Sequence, residues 1–271
     1  MLDRRLFLGS SLAFSAAGAN SAADDNAAWR TERLARLTGD EGWLTLAGLH
    51  WLEPGLNHIA SAPGLQFTRK GESVLLESAQ PVMVNGKPTK KLALKKDDDK
   101  IAIGDRTYFI IVRGDRVGIR ERDNRASYRA GFKGLKLYPF RPEMRFEAKW
   151  IPYARPVKRR IQTVANTVEE MMAPGQAEFT IAGIKYRLEP VIEEDHLFYI
   201  FKDRTAGKST YPAGRFMEMP MPSATGVAVV DFNRAYNPPC AFTPYATCPL
   251  PLRQNQLPVA IEAGELAYHL D

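Results

Sequence analysis

Short runs of β-forming residues, each bounded by turn residues, follow one another through most of this chain after Gly39, and they restrict the fold more than any other feature. Helical spacing is confined to residues 27–37, where Trp29, Arg33 and Leu37 recur every four residues. Many short strands at this spacing are typical of antiparallel sandwiches and barrels. We therefore predict a mainly β fold of antiparallel sandwich or barrel units with a short N-terminal helix. The β-forming runs are residues 43–49, 73–76, 82–84, 107–112, 117–121, 145–151, 160–164, 178–181, 185–188, 197–201 and 227–232.

Two hairpins can be predicted from local turn residues. Gly114 and Asp115 separate two β-forming runs, and Gly183 separates another two. Polar and apolar residues alternate on both sides of Gly183, which fits an antiparallel pair with one face in water.

Two prolines interrupt the β pattern within residues 137–142. This break suggests an N-terminal β unit over residues 24–135 and a C-terminal β unit over residues 143–271, which contains a proline-rich loop. A chain of 271 residues fits one large or two small domains. The alternative that both units share one core therefore stays open.

The first nineteen residues have the layout of an export signal. Arg4 and Arg5 precede Leu-Phe-Leu and an uncharged stretch, as in twin-arginine signals. The apolar run of about fourteen residues is shorter than the roughly twenty that a bilayer span needs. We predict a signal peptide over residues 1–19, recognition by the twin-arginine export machinery, and a periplasmic or secreted protein with no stable membrane anchor. An ordinary N-terminal helix is the alternative.

Charge restricts the partners only weakly. The chain has 37 Lys and Arg against 31 Asp and Glu, a net charge of +6, and this mild excess favours anionic partners without identifying them. The charged block at residues 90–100 mixes both signs and is typical of an exposed loop or hairpin end. Because the sequence has no RNA-binding signature, we expect no nucleic-acid partner.

Polar residues collect at the end of the run at residues 226–233. Strand periodicity places Asp231 and Asn233 on one face. An Asp at the end of an apolar strand needs water, an Arg or a ligand, and Arg215 and Arg234 are candidate partners. One interpretation is a structural Asp–Arg pair, and the other is a pocket for a small anion or for acid/base chemistry.

The loop that follows residues 197–201 adds further candidates. Residues 206–209 imitate the end of a phosphate-binding P-loop, but Lys202 stands where that motif needs Gly, and Pro212 prevents the helix that should follow. We expect no nucleoside triphosphate there. The candidate ligand-binding residues are Asp203, Lys208, Tyr211, Arg215, Asp231, Asn233, Arg234 and Tyr236.

Cys240 and Cys248 lie in a proline-rich segment that cannot be helical. In an oxidising compartment a disulfide between them would contribute roughly 2.5 kcal/mol on the chain-entropy model. Free thiols are the open alternative. Zinc usually needs four ligands at characteristic spacing, and the four histidines form no such set with the cysteines. We expect no metal and no cofactor.

Several segments carry a resemblance to a known family. They are residues 42–52 (GWLTLAGLHWL), 113–120 (RGDRVGIR), 205–211 (TAGKSTY) with 214–216 (GRF), and 231–249 (DFNRAYNPPCAFTPYATCP). On these segments the chain resembles the bacterial family called domain of unknown function 1684 over nearly the whole mature chain, with residues 221–225 as a departure. The resemblance implies membership and no catalytic residue. Residues 43–59 are also faintly similar to the opening of a forkhead-associated β-sandwich, which implies a fold alone.

Three functions are compatible with these observations. The first is an exported protein that binds a small polar or anionic ligand at the C-terminal motif. The second is an envelope hydrolase with Asp231 or Asp203 as acid/base and Lys208 or Arg215 stabilising charge. The third is a partner-binding envelope module whose contact surface is the β unit at residues 43–135.

Overall fold

The computed structural model describes residues 16–96 and 98–268. The chain is mainly β and antiparallel, as predicted. Helix α1, Ala16–Thr38, contains the predicted helix at residues 27–37. Most of the predicted signal, residues 1–15, lies outside the described residues. The strands are β1 Leu46–Trp51, β2 Gly55–Asn57, β3 Leu65–Lys70, β4 Ser73–Val84, β5 Lys87–Leu94, β6 Ile101–Ile103, β7 Arg106–Arg113, β8 Arg116–Asp123, β9 Arg145–Gln162, β10 Val168–Ile181, β11 Ile184–Leu188, β12 Val191–Glu193, β13 His196–Phe201, β14 Arg215–Pro220 and β15 Val227–Asp231, and the short helix α2 is Ser127–Ala130.

The N-terminal sheet has the strand order β1-β8-β7-β6-β4-β3-β2, with β5 paired to β4. The predicted hairpin at Gly114 joins β7 to β8, and Gly114 has a φ of +60°, which a Gly adopts at little cost. Alternation along these strands directs Tyr108, Ile110 and Ile119 into the core of this sheet. The residues that alternate with these, such as Phe109 and its partner Arg120, project from the opposite face.

The C-terminal part forms two further antiparallel sheets. One has the order β11-β10-β9-β15, and the other has the order β12-β13-β14. The predicted hairpin at Gly183 joins β10 to β11, where Ile181 pairs with Ile184. The predicted strand at residues 43–49 is shorter, because Trp43–Thr45 forms a 3₁₀ turn before β1 begins.

The small sheet β12-β13-β14 has two different faces because side chains alternate along each strand. Leu197, Tyr199 and Phe201 point into the main C-terminal core. The residues between them, Phe198 and Ile200, lie in a separate cluster on the opposite face. Phe198 on the second face lines a cavity that Arg113, Arg120 and Arg122 of the N-terminal sheet also line.

Contacts far apart in sequence join the N-terminal segments to the C-terminal loops. Arg33 of α1 forms an ion pair with buried Glu265, with 2.9 Å between Nε and Oε1. The Thr243 hydroxyl donates to the carbonyl oxygen of Leu46 in β1 at 2.9 Å. Among the described residues, no helix is both long and apolar enough to cross a bilayer.

Candidate functional site

A cleft of about 400 Å³ lies between the outward face of β7 and β8, the small sheet β12-β13-β14 and the proline-rich loop. Its size falls within the range of roughly 300–1,000 Å³ that is usual for ligand pockets. Basic, acidic and aromatic side chains all contribute. The lining residues are Trp43, Leu46, Arg113, Arg120, Arg122, Glu169, Met171, Glu193, Glu194, His196, Phe198, Phe216, Glu218, Tyr236, Pro239, Ala246, Thr247, Cys248 and Pro249.

Arg113, Arg120 and Arg122 form what we call the arginine side of the cleft. Arg113 Nε donates to the hydroxyl oxygen of Thr247 at 3.0 Å, and Arg120 Nη2 donates to the same oxygen at 3.2 Å. Arg113 Nε also lies 3.1 Å from Glu169 Oε1. Two guanidinium groups from the N-terminal sheet therefore meet at one hydroxyl of the proline-rich loop.

Arg122 is fixed to the segment before β1. Its Nη1 donates to the carbonyl oxygen of Gly42 at 2.8 Å and to the Thr45 hydroxyl at 3.2 Å. Burial lowers the pKa of Arg122, and the charge of Glu41 opposes that effect. Arg122 is therefore a partly desolvated cation, and an anion in the cleft would offset the cost of its burial.

Glu169, Glu193 and Glu218 form what we call the acidic side of the cleft, together with His196. Glu218 Oε1 accepts a hydrogen bond from the Tyr236 hydroxyl. Glu193 Oε2 lies 4.0 Å from His196 Nε2. Glu169 comes from β10. Glu193, His196 and Glu218 come from β12, β13 and β14, on the face of the small sheet opposite the main core.

Several pKa values on the acidic side are shifted. Burial raises the pKa of Glu193, the charge of His196 opposes this, and the charge of Glu218 adds to it. Burial also raises the pKa of Glu169, against the effect of Arg113. Both carboxylates would therefore be stabilised in their ionised form by a nearby cation.

Aromatic rings also line the cleft. Phe198 and Phe216 pack edge to face, with ring centroids 4.8 Å apart. Trp43 and Tyr236 lie 6.1 Å apart. The Arg33 guanidinium stacks over Tyr236 at 4.6 Å, which fixes that ring in place.

The predicted site residues Arg215 and Asp203 lie in the interior and do not line the cleft. Their ion pair measures 2.9 Å between Nη2 and Oδ2, and each side chain is 1% exposed. Arg215 also donates to the carbonyl oxygens of Ile261, at 2.9 Å, and Ala263. Of the two candidate partners of Asp231, Arg215 pairs with Asp203 instead, and Arg234 Nε lies 3.8 Å from Asp231 Oδ2.

Asp231 has different partners. Its Oδ2 lies 2.9 Å from Arg145 Nη1 and 3.8 Å from Arg234 Nε, and its Oδ1 accepts hydrogen bonds from the backbone and side-chain nitrogens of Asn233. Asn233 is buried and also donates to the carbonyl oxygen of Arg141 at 2.9 Å. Asp231, Asn233 and Arg234 therefore fix the end of β15 and do not contribute to the cleft lining.

The other predicted residues are dispersed. Lys208 is exposed in its loop, and the Tyr211 hydroxyl donates to the carbonyl oxygen of Cys240 at 2.9 Å. Of the eight predicted ligand-binding residues, Tyr236 lines the cleft. Cys240 and Cys248 are free thiols in this structure, with the Cys240 nitrogen 3.1 Å from Cys248 Sγ, and Cys248 also lines the cleft.

Sequence reasoning missed Arg113, Arg120 and Glu193 as site residues. The two arginines lie in the segment 113–120, which carried part of the family resemblance, and their strand positions place them on the outward face. Strand alternation could therefore have indicated that the two arginines share a face. No local pattern indicated Glu193, because its neighbours in the cleft come from other strands. Among the described residues, no group of three or more His, Cys, Asp or Glu side chains is placed to hold a metal ion.

The fold and the cleft define an all-β protein with a ligand-sized cavity of mixed charge between its sheets. The family model described as a protein of unknown function, DUF1684, matches residues 130–266, and the chain belongs to this family. The match includes the acidic side of the cleft and the proline-rich loop. The segments at residues 42–52 and 113–120 lie outside it.

A solved structure is also similar. It is the solution NMR structure of an uncharacterized protein from Haloarcula marismortui, with 30% sequence identity, a TM-score of 0.43, and coverage of 51% of this chain and 78% of that one. No curated protein matches the chain. The function is therefore argued from the cleft itself.

Proposed function

We propose that this protein is exported and binds a small ligand through an anionic group at the arginine side of the cleft. The observation that carries the proposal is the convergence of Arg113 and Arg120 on Thr247, at 3.0 and 3.2 Å, beside an open cavity. Guanidinium groups can bind carboxylate or phosphate in two places at once. The C-terminal motif supplies Thr247, so the ligand would contact that motif as the sequence suggested.

The expected free energy of the contact between the anionic group and the arginines is large enough for measurable binding. A hydrogen bond to a charged group contributes about 1.5–3 kcal/mol. Arg113 is 24% exposed, so an anion beside it would be partly shielded from water and from salt.

The proposal of export rests on the N-terminal sequence. Residues 1–19 would be recognised by the twin-arginine machinery and removed, and the mature protein would remain in the periplasm or outside the cell without a stable membrane anchor. There a thiol oxidant would take two electrons and two protons from Cys240 and Cys248 to form their disulfide. Cell fractionation of the Arg4→Lys, Arg5→Lys double variant tests export, and unchanged export of that variant would contradict the twin-arginine route.

Titration calorimetry tests ligand binding. The probe is N-acetyl-phenylalanine, which has one carboxylate, no ammonium group and an aromatic side chain. We expect Arg113→Gln to weaken its binding at least tenfold, or about 1.4 kcal/mol. Arg116→Gln is the matched control, because Arg116 lies on the same hairpin and does not line the cleft. Equal binding by the Arg113→Gln variant and the native protein would refute the proposal.

The two other functions have less support from the geometry. Asp203 and Asp231, the carboxylates considered for a hydrolase, have exposed fractions of 1% and 3% and are held by arginines away from the cleft. A protein partner that bound the N-terminal sheet could either cover the cleft or leave it open. A partner that competes with N-acetyl-phenylalanine would cover it.

A further inference from the structure

We propose, on the basis of the function proposed above, that the ligand of the cleft is zwitterionic: an amino acid or a short peptide. Its carboxylate would bind Arg113 and Arg120 on the arginine side, and its ammonium group would bind Glu193 and Glu218 on the acidic side.

The charge balance of the cleft is the first argument. The lining contains three arginines and the four glutamates 169, 193, 194 and 218. A ligand that carried negative charge alone would be repelled by these carboxylates. A ligand with separated charges of both signs satisfies each side, and electrostatic complementarity of this kind gives specificity.

The second argument is the geometry of the acidic side. In the small sheet, Glu193 pairs with His196, and Phe198 pairs with Glu218. Paired residues project from the same face, so the two carboxylates border one surface with His196 and Phe198 between them. Glu218 Oε1 is held by the Tyr236 hydroxyl, and its Oε2 is 3.4 Å from Arg36 Nη1 at the exposed margin. The Glu218 carboxylate is therefore positioned before any ligand arrives, and Glu193 borders the same surface.

The third argument is the unfavourable state of Glu193 without a cation. The charged groups that face it are His196 on β13, Glu218 on β14, Glu194 in the adjacent turn and Glu169 on β10, and three of these four are acidic. Partial burial raises the pKa of Glu193, the charge of His196 opposes this, and the charges of Glu218, Glu194 and Glu169 add to it. An ammonium group placed here would remove that repulsion, whereas a second anion would increase it.

The aromatic rings add a preference for side chains. Phe198 and Phe216 lie on the same face of the small sheet as Glu218, and both rings line the cleft. An apolar or aromatic side chain of the ligand would pack against these rings. We therefore expect phenylalanine, or a peptide that begins with it, to bind more tightly than glycine or an equally long glycine peptide.

Matched probes separate the contributions of the two charges. The zwitterions are phenylalanine and the tripeptide Phe-Gly-Gly, whose comparison distinguishes a free amino acid from a peptide. N-acetyl-phenylalanine lacks the ammonium group, and phenylalanine amide lacks the carboxylate. We expect the better zwitterion to bind at least tenfold more tightly than either single-charge probe in titration calorimetry.

Variants assign the effect to the acidic side. Glu193→Gln should weaken zwitterion binding about tenfold and leave the binding of N-acetyl-phenylalanine unchanged or stronger. Glu218→Gln provides a second, independent test if the first variant fails to fold. Asp195→Asn is the control, because Asp195 lies in the same turn, is 99% exposed and does not line the cleft.

Proton release provides a readout that a purely structural role would not change. Because an ammonium group favours ionised Glu193, zwitterion binding should release protons at mildly acidic pH, and affinity should rise with pH through that range. Titrations in two buffers with different ionisation enthalpies measure the release. Glu193→Gln should reduce it.

The contradicting results differ for the two proposals. Equal affinities for the zwitterions and N-acetyl-phenylalanine would overturn the zwitterion inference while leaving an anion site in place. An N-acetyl-phenylalanine affinity that does not depend on Arg113 would overturn the proposed function itself. If none of the four probes shows saturable binding up to about 10 mM, both proposals fail.

Discussion

Two guanidinium–carboxylate pairs in this protein have similar distances and very different surroundings. Arg215 and Asp203 lie 2.9 Å apart with 1% of each side chain exposed, whereas Arg113 and Glu169 lie 3.1 Å apart with 24% of each exposed. The first pair is bound to the backbone around it, and the second borders an open cavity. The residue types alone do not distinguish a structural pair from a binding site, because the distinction depends on access to solvent.

We call Arg215 and Asp203 the sealed pair, because most of their polar side-chain atoms bond to groups inside the protein. Asp203 Oδ1 accepts hydrogen bonds from the backbone nitrogen and the hydroxyl of Thr205, and from the backbone nitrogen of Ile261. Arg215 donates to three carbonyl oxygens of the C-terminal segment, those of Ile261, Ala263 and Glu265. Buried charges persist when most of their polar atoms are satisfied in this way. Of the side-chain polar atoms of this pair, Arg215 Nε is the one without a hydrogen-bond partner among the described residues, so little capacity remains for a ligand.

Breaking the sealed pair should have the largest effect. Arg215→Met removes the guanidinium and leaves the buried Asp203 carboxylate without its counter-charge, so we expect unfolding free energy to fall by about 3–5 kcal/mol. Urea denaturation followed by circular dichroism measures it. The double variant with Asp203→Leu should recover part of the loss, and a loss below about 1 kcal/mol in the single variant would show that the pair is not sealed in solution.

The Asp231 carboxylate is intermediate in exposure between the sealed pair and the pair beside the cleft. Its carboxylate is 3% exposed, but its partner Arg145 is 40% exposed. Asp231→Asn removes the charge and keeps a side-chain oxygen that can cap the turn, so we expect a loss of about 1–2 kcal/mol in urea denaturation. The control Asp115→Asn, at an exposed turn, should change stability by no more than about 0.5 kcal/mol. Unfolding of the Asp231→Asn variant at room temperature would place Asp231 with the sealed pair.

The smallest change in stability should come from a substitution in the cleft, and it should be a gain where the two substitutions above cause a loss. The folded-state pKa of Glu193 is raised above its unfolded value, so the native protein loses stability as pH rises through the interval between them. Glu193→Gln does not titrate and should therefore be more stable than the native protein at pH 7, with the difference vanishing near pH 4. Because Glu193 is 48% exposed, the gain should stay below about 1 kcal/mol. Urea denaturation of both proteins at pH 4 and pH 7 measures the difference. A Glu193→Gln variant that is less stable than the native protein at pH 7 would contradict the prediction.

Local features of the fold were predictable from the sequence. The hairpins at Gly114 and Gly183 depend on turn residues and on alternation within a few positions, and both form as predicted. The helix at residues 27–37 follows from spacing alone. These elements are determined by neighbours in sequence, which is why a single sequence reveals them.

The site depends on contacts that no local pattern encodes. Arg113 and Thr247 are 134 positions apart, and their hydrogen bond requires the proline-rich loop to fold back on β7. Arg215 was one of two candidate partners for Asp231 and pairs with Asp203 instead. Both carboxylates are close to it in sequence, and only the arrangement of the strands decides between them. Glu193 and Glu218 likewise meet only through the pairing of β12, β13 and β14.

The division of the cleft between two parts of the chain has a consequence for its relatives. The family match begins at residue 130, after all three arginines of the cleft and before its glutamates. A homologue that shares residues 130–266 without an equivalent of β7 and β8 would expose an acidic surface in place of a two-sided cavity. Under the proposed function, ligand preference among such relatives would follow the upstream sheet, and a grouping by residues 130–266 alone would combine proteins that select opposite charges.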